Sequence, residues 1–539
     1  MIAPEAVADQ RKDAARPAVD WPVRIAWIGI IAFVIALTII AFGREVFNYN
    51  TETDFLGGFM SEAHRFLSGE SLEVHFHPPL YAMTIASVYV LVQDWFATGL
   101  LISLVASAAT LAISLVLLRK ALGTAAAIGG VLALALSPTF VYYSLQATSE
   151  LFSLALYLAA FLAVYLSTAR RTVPYHLLAG VVIGLALLTR TNHIVLLGLL
   201  LFYFVPVPSS ARPTSPTGQL RGLGWVAAGI GLPLLAWFAF AAGTASPLMP
   251  TKNHENFALT YFSPGSRISG DERFALAPQF TSTMQVLTAD PARIVRIYSR
   301  DLVTTTFRLL ARDTVLPFPL IAISLLCWLA IAIRERQKRA WIAVLLLNLL
   351  AMYMLLNFKM YEHRYYLYLL PFLGASIGIV FTYLLRPRSP NAVRLGSWVV
   401  LAVMIGFAAY SGVTEATRLH AGAQSTDAYA AARYFTSERV PAESVVYSRK
   451  SHIGFYSGVQ REWMPNEATL DELIEYVVDA RRQAPASVFL FYGVTESSTR
   501  PQYAALADPG SLRVPQLTLV ASGSERGGWF LYQLLDADD

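Results

Sequence analysis

Long apolar runs separated by short polar breaks organise most of this chain. The pattern predicts apolar helices at 21–42, 97–118, 122–141, 150–167, 174–189, 193–207, 222–243, 315–333, 340–357, 364–385 and 394–411. Most approach the ~20 residues that a bilayer helix needs. A further candidate, 78–96, reads "PPLYAMTIASVYVLVQDWF". Its Pro78-Pro79 start suits a helix N-terminus, where a missing N–H costs no hydrogen bond. The short pair 174–189 and 193–207, separated by Arg190, Asn192 and His193, could instead form one long broken helix.

Charge decides between these topologies. The basic clusters are Arg11/Lys12/Arg16, Arg119/Lys120, Arg170/Arg171, Arg212/Arg221, Arg334/Arg336/Lys338/Arg339 and Arg386/Arg388/Arg394. With eleven crossings, and 78–96 lying along the interface, every cluster falls on the side of the N-terminus. Making 78–96 a span, or fusing 174–207 into one, inverts the later clusters. The positive-inside bias therefore favours eleven spans, a cytosolic N-terminus and an extracytoplasmic C-terminus. The expected parts are a polar cytosolic tail (1–20), a membrane domain (21–411) with outer loops 43–96 and 244–314, and an outer domain (412–539).

The outer segments are patterned. From Asp54 to Leu67, Phe55, Phe59, Ala63 and Phe66 recur at helical spacing, with Asp54 as a candidate cap and Ser68-Gly69 as a stop. "DPARIVRIYSRDLVTTTFRLLARD" places Ile294, Ile297, Leu302 and Phe307 among arginines, which suits an interfacial helix. After 412 the pattern changes to helix, strand, helix, strand, short helix and two strands: "STDAYAAARYFTSERV", "ESVVYS", "TLDELIEYVVDARRQ", "ASVFLFYG", "PQYAALAD", "QLTLVAS" and "GWFLYQLL". This is a small α/β domain without a Gly-rich phosphate loop or metal-ligand spacing. The fold class is thus a polytopic α-helical membrane protein with a C-terminal extracytoplasmic α/β domain.

Composition agrees. The 539 residues are 55% hydrophobic and 14% charged, with net charge +5, against about 25% charged in soluble proteins. The positive charge sits in short clusters between spans, which excludes a nucleic-acid-binding reading. The single cysteine, Cys327, lies in an apolar run and leaves no intrachain disulfide.

Ionisable residues gather at the outer ends of the spans: Asp54, His75, His77, Glu150, Arg190, His193, Lys359, Glu362, His363 and Arg364, with Tyr365 beside them. Singly, each has a structural role available: Asp54 as a helix cap, Glu150 as a cap or a partner of Arg190, the cations as snorkelling anchors. Together, two carboxylates beside several cations suit chemistry on an anionic phosphate substrate.

These residues carry a resemblance. The order Asp54, "FMSEAHRFL", Ser68-Gly69-Glu70, "HPPLY", Glu150 in "YYSLQATSE", "GLALLTRTN" and "EHRYYLYLLP" is similar to that of the GT-C integral-membrane glycosyltransferases. The branch is that of the protein O-mannosyltransferases and the lipid A aminoarabinose transferase, and bacterial lipopolysaccharide galacturonosyltransferases are similar in layout. The resemblance spans about 54–370. Three positions depart from it: His77 stands where the family has lysine, Glu150 where aspartate is usual, and Phe55 where glutamate is frequent.

The resemblance implies a polyprenyl-phosphate sugar donor and transfer to a hydroxyl of a lipid, glycan or protein acceptor. The reaction would take place at the outer face of a bacterial cytoplasmic membrane. Asp54 would be the general base, with Glu150 orienting the acceptor or joining Asp54 around a divalent metal ion. His77, Arg190, Lys359 and Arg364 would hold the donor phosphate, and His75, Glu362, His363 and Tyr365 would contact substrate. One displacement would invert the anomeric centre. The rival classes are a transporter or lipid flippase of envelope glycolipid precursors and a non-catalytic binding scaffold. A transporter would carry repeats and mid-bilayer charges, of which the sequence shows neither.

Overall fold

The computed structural model describes residues 21–48, 52–74, 77–205, 215–250, 252–262, 279–311, 320–334, 339–358, 363–385, 391, 395, 399, 402, 406, 409–414, 416–417, 427–465, 467, 469–483, 487–524 and 528–535. His75, Lys359 and Glu362 lie outside the described residues, as does the side chain of His363.

Five of the expected spans are helices long and apolar enough to cross a membrane unaided: α1 (Trp21–Phe42), α4 (Trp95–Leu122), α7 (Glu150–Arg170), α9 (Pro216–Thr244) and α14 (Arg339–Leu356). The expected single span at 122–141 is instead a pair, α5 (Thr124–Ala135) and α6 (Pro138–Ser144), bent by 66°. The cause is local. Pro138 cannot continue an i→i−4 ladder, and Ser137 Oγ accepts from Phe140 N at 3.3 Å to start a new helix. Two further expected spans are short helices: α8 (Val173–Leu187) and the segment Thr191–Phe204. The latter is wound as a 3₁₀-helix of 14 residues. At about 2.0 Å per residue, that winding covers about 28 Å, close to a hydrocarbon core. The two helices are separated at Arg190, whose backbone is extended.

Between α1 and α4 lie α2 (Met60–Leu67) and α3 (Leu80–Val92). The 13 residues of α3 cover about 20 Å, less than the ~30 Å of a hydrocarbon core. Helix α2 ends where expected, with Gly69 at φ 70°. Its start differs: Phe55–Phe59 forms a wide π-turn, and Asp54 makes no capping bond. The carboxylate therefore stays free of the local backbone.

Further helices among the described residues before the C-terminal domain are α10 (Asn253–Phe262), α11 (Thr283–Ala289), α12 (Pro291–Ala311), α13 (Leu320–Arg334) and α15 (Leu370–Leu384). The last is preceded by a 3₁₀ turn, His363–Tyr368, so the expected span 364–385 is also broken. Helix–helix contact is closest at glycines. A Cβ on Gly180 of α8 would meet Val226 O of α9 at 2.1 Å, and one on Gly129 of α5 would meet Gly374 O of α15 at 2.3 Å. Small residues permit this approach where lipid gives no hydrophobic drive between helices.

Strands β1 (Val445–Ser448), β2 (Gln460–Trp463), β3 (Val488–Tyr492), β4 (Leu517–Gly523) and β5 (Trp529–Leu534) form one sheet in the order β2-β1-β3-β5-β4. Pairings β1/β2 and β1/β3 are parallel; β3/β5 and β4/β5 are antiparallel. The sheet is packed with α16 (Asp427–Ser437), α17 (His452–Ser457), α18 (Leu470–Gln483) and α19 (Val494–Thr499). Strand β3 is buried along its whole length, as "VFLFY" suggests. Strand β2 was not expected: it is an edge strand reading "QREW", mostly exposed, with no hydrophobic alternation to reveal it.

The soluble domain sits on the loop that carries Asp54. Phe47 N donates to the Tyr456 hydroxyl at 2.6 Å, the Phe47 and Phe455 rings meet edge to face at 5.3 Å, and Lys450 Nζ donates to Thr53 Oγ1 at 3.1 Å.

Candidate functional site

Three segments converge. Glu150 opens α7, Arg190 marks the extended break between α8 and the 3₁₀-helix, and Arg364 lies in the 3₁₀ turn before α15. Glu150 is 5% exposed and its Oε1 accepts from Arg190 Nη2 at 2.5 Å and from Arg364 Nη1 at 2.9 Å. Arg190 also donates to Ser149 Oγ at 2.8 Å. A buried carboxylate held by two guanidinium groups is a fixed ion cluster; with one partner lost it would be strongly destabilising.

Asp54 stands at the rim. Its side chain is 56% exposed, and Oδ2 lies 3.9 Å from the same Arg364 Nη1 that binds Glu150. Arg364 thus links the two acids that the sequence singled out, one buried and fully engaged, the other facing outward.

Beside the cluster is a cavity of about 250 Å³ lined by His77, Arg190, Asn192, Asn253 and Tyr365 at its polar part, and by Ile194, Phe257, Leu355 and Phe358. The His77 ring lies against the Phe59 ring at 5.1 Å, nearly parallel at 20°. The lining therefore combines a guanidinium and an imidazole with apolar side chains. Among the described residues no group of three His, Cys, Asp or Glu side chains could hold a metal ion. His193, which sequence placed in the same edge, turns inward instead: it is fully buried, with Nε2 against Ser153 Oγ at 3.1 Å and Nδ1 against Ala186 O at 2.8 Å.

Sequence reasoning missed two groups. The first is Glu52, two residues before Asp54, which is fully buried. Its carboxylate accepts from Arg44 Nη2 at 2.5 Å, from Ala147 N at 2.6 Å and from Asn48 N. Arg44 also donates to Leu145 O at 2.5 Å. This pair ties the loop of Asp54 to the loop of Glu150 and so sets their spacing. "TETD" contains both acids, but nothing in it says which turns inward. The second is Lys450, from the C-terminal α/β domain, in which the sequence singled out no site residue. Burial and then Arg449 hold its pKa down to about 8, against the raising pull of Asp54 and Glu496.

Known proteins share the fold. The family model for dolichyl-phosphate-mannose-protein mannosyltransferase matches residues 76–237. The structure superposes on ArnT from Cupriavidus metallidurans in the apo state with TM-score 0.52 at 14% identity, covering 94% of this chain and 97% of that one. ArnT bound to undecaprenyl phosphate gives TM-score 0.51 at 15% identity, with 94% and 98% covered. The oligosaccharyltransferase AglB from Archaeoglobus fulgidus, solved with an inhibitory peptide and a dolichol-phosphate, gives TM-score 0.52 at 13% identity, with 89% and 71% covered. The fold is shared with ArnT and AglB over most of this chain. No curated protein sequence matches the chain.

The residues of the cluster come from segments far apart in sequence, and the family match at 76–237 includes Glu150 and Arg190 but neither Asp54 nor Arg364. Those two join the cluster through their own contacts.

Proposed function

We propose that this protein is a membrane glycosyltransferase that moves a sugar from a polyprenyl-phosphate donor to an acceptor hydroxyl at the outer face of the cytoplasmic membrane. The observation that carries the reading is the Asp54–Arg364–Glu150–Arg190 cluster opening beside a half-apolar cavity that also contains His77. The ligands bound in the structural neighbours, undecaprenyl phosphate in ArnT and dolichol-phosphate in AglB, support the class of donor.

Each group has a chemical task. Asp54, the exposed acid, takes the proton of the acceptor hydroxyl as it attacks the anomeric carbon. Arg190 and His77 face the cavity and hold the donor phosphate, with Tyr365 on the same wall; Arg190 and Arg364 stabilise the charge that develops as the phosphate departs. Glu150 is a positioning residue: with both guanidinium groups on one oxygen, it fixes the cations rather than reacting. A divalent ion between Asp54 and Glu150 fits poorly, since Arg364 already lies 3.9 Å from one and 2.9 Å from the other. The proposed reaction is therefore cation-assisted by arginine, and one displacement inverts the anomeric carbon. Lys359 remains a candidate phosphate ligand, and His75, Glu362 and His363 candidate substrate contacts, from the sequence resemblance.

The test is mass spectrometry of envelope lipids, glycans and proteins from a deletion strain and its complemented parent. The expected result is one acceptor lacking one sugar, restored by the wild-type gene. An unchanged set of glycoconjugates, with undecorated precursors trapped on the cytosolic side, would point to the transporter reading instead.

A further inference from the structure

The larger cavity, about 380 Å³, lies away from this cluster. Helix α7 runs from Glu150 to Arg170, about 30 Å at 1.5 Å per residue, and the cavity is lined by Thr168 and Arg171 at its far end. It is therefore on the face that the charge pattern assigns to the cytosol.

Its walls combine two features that attract an anion, helix N-termini and arginines, with a histidine acceptor beside them. Thr172 and Val173 begin α8, and Gly218 and Gln219 belong to the first turn of α9, so two helix N-termini meet at the cavity. Arg171 and Arg221 line it as well. His176 is 7% exposed and held in one orientation, with Nδ1 2.7 Å from the Tyr203 hydroxyl. Tyr203 in turn lies 2.7 Å from Ser167 Oγ, which donates to Val164 O at 2.9 Å. Because the serine proton is committed to Val164, the tyrosine donates to serine and the imidazole Nδ1–H donates to tyrosine. Nε2 is left as an acceptor. It faces Gly222 on the cavity wall, where an added Cβ would stand 3.2 Å away. Around the cavity, Trp225 is 37%, Phe204 56% and Leu220 62% exposed, providing apolar surface toward the bilayer.

We propose that this cavity is a binding site for the headgroup of an anionic phospholipid, separate from the donor site. The phosphate would lie against Arg171, Arg221 and the two helix N-termini, a headgroup hydroxyl would donate to His176 Nε2, and the acyl chains would run along Trp225 and Leu220. The inference does not depend on the sugar-transfer reading.

The test uses full-length protein in nanodiscs and native mass spectrometry. Titration with phosphatidylglycerol, which has both a phosphate and a hydroxyl headgroup, is compared with phosphatidylcholine and with soluble glycerol phosphate. Wild type should retain one phosphatidylglycerol in preference to phosphatidylcholine. Arg221→Gln, at an exposed position that should not disturb folding, should weaken it about tenfold; Arg171→Gln/Arg221→Gln should abolish the preference. Binding of glycerol phosphate without a lipid preference would assign the site to a soluble phosphate ester and overturn the lipid proposal. Equal retention of both lipids, or an unchanged preference in the double variant, would overturn the site itself.

Discussion

Lys450 Nζ donates to Thr53 Oγ1 at 3.1 Å, so an ammonium group of the soluble domain is fixed one residue from Asp54. With its pKa held near 8 by burial and Arg449, Lys450 is charged at neutral pH and loses its charge as the pH rises through 8. If that charge positions the loop, sugar transfer should fall a few-fold across this limb. Lys450→Met should be slower at pH 7 and show no limb, and Lys450→Arg should carry activity to higher pH. Stability should move the other way. The folded lysine releases its proton near 8 and the unfolded one near 10.5, so raising the pH between them favours the folded state. A loss of activity over that range without a lower melting temperature would separate the contact from unfolding.

The Arg44–Glu52 pair should matter for folding more than chemistry. Both side chains are at most 2% exposed, and removing one partner of such a pair costs about 3–5 kcal/mol. Arg44→Ala and Glu52→Gln should each lower the melting temperature strongly in detergent. Hydrogen exchange should increase at Ala147, whose amide bonds to Glu52. The double variant should be less damaged than the sum of the two.

Glu150→Gln keeps the shape but removes the charge that holds Arg190 and Arg364. Transfer should fall at least tenfold, with the donor KM changing more than that of the acceptor, because the displaced groups are phosphate ligands. A change confined to the acceptor KM would move Glu150 to the other substrate.

His77 stacks on Phe59 and faces the donor cavity. His77→Ala should raise the donor KM several-fold. His77→Lys should retain most of the donor affinity by supplying an ammonium group, at the cost of the ring stacking.

Sequence periodicity carried the long helices well because each is set by its own residues: α1 and α4 need only their apolar length. It failed at breaks. An apolar count over "LALALSPTFVYY" reads straight through Ser137-Pro138, where the chain bends by 66°, and it does not distinguish the 3₁₀ winding of Thr191–Phe204 from an α-helix. The strands of the soluble domain were legible where burial imposes alternation or a continuous apolar run; the edge strand β2 carries neither. At the site, Asp54, Glu150, Arg190 and Arg364 could be named because charges at the end of an apolar run are costly unless used. Which of them touch could not. The inward turn of Glu52 and the reach of Lys450 across about 400 residues of sequence depend on tertiary contacts that leave no local trace.

The most direct test is sugar transfer by purified Asp54→Asn protein, supplied with a polyprenyl-phosphate sugar and the acceptor identified from the deletion strain. The substitution keeps size and exposure while removing the base. The account predicts a rate about 10²–10⁴ lower, with wild-type melting temperature and unchanged donor binding. Near-wild-type transfer by this variant would contradict it.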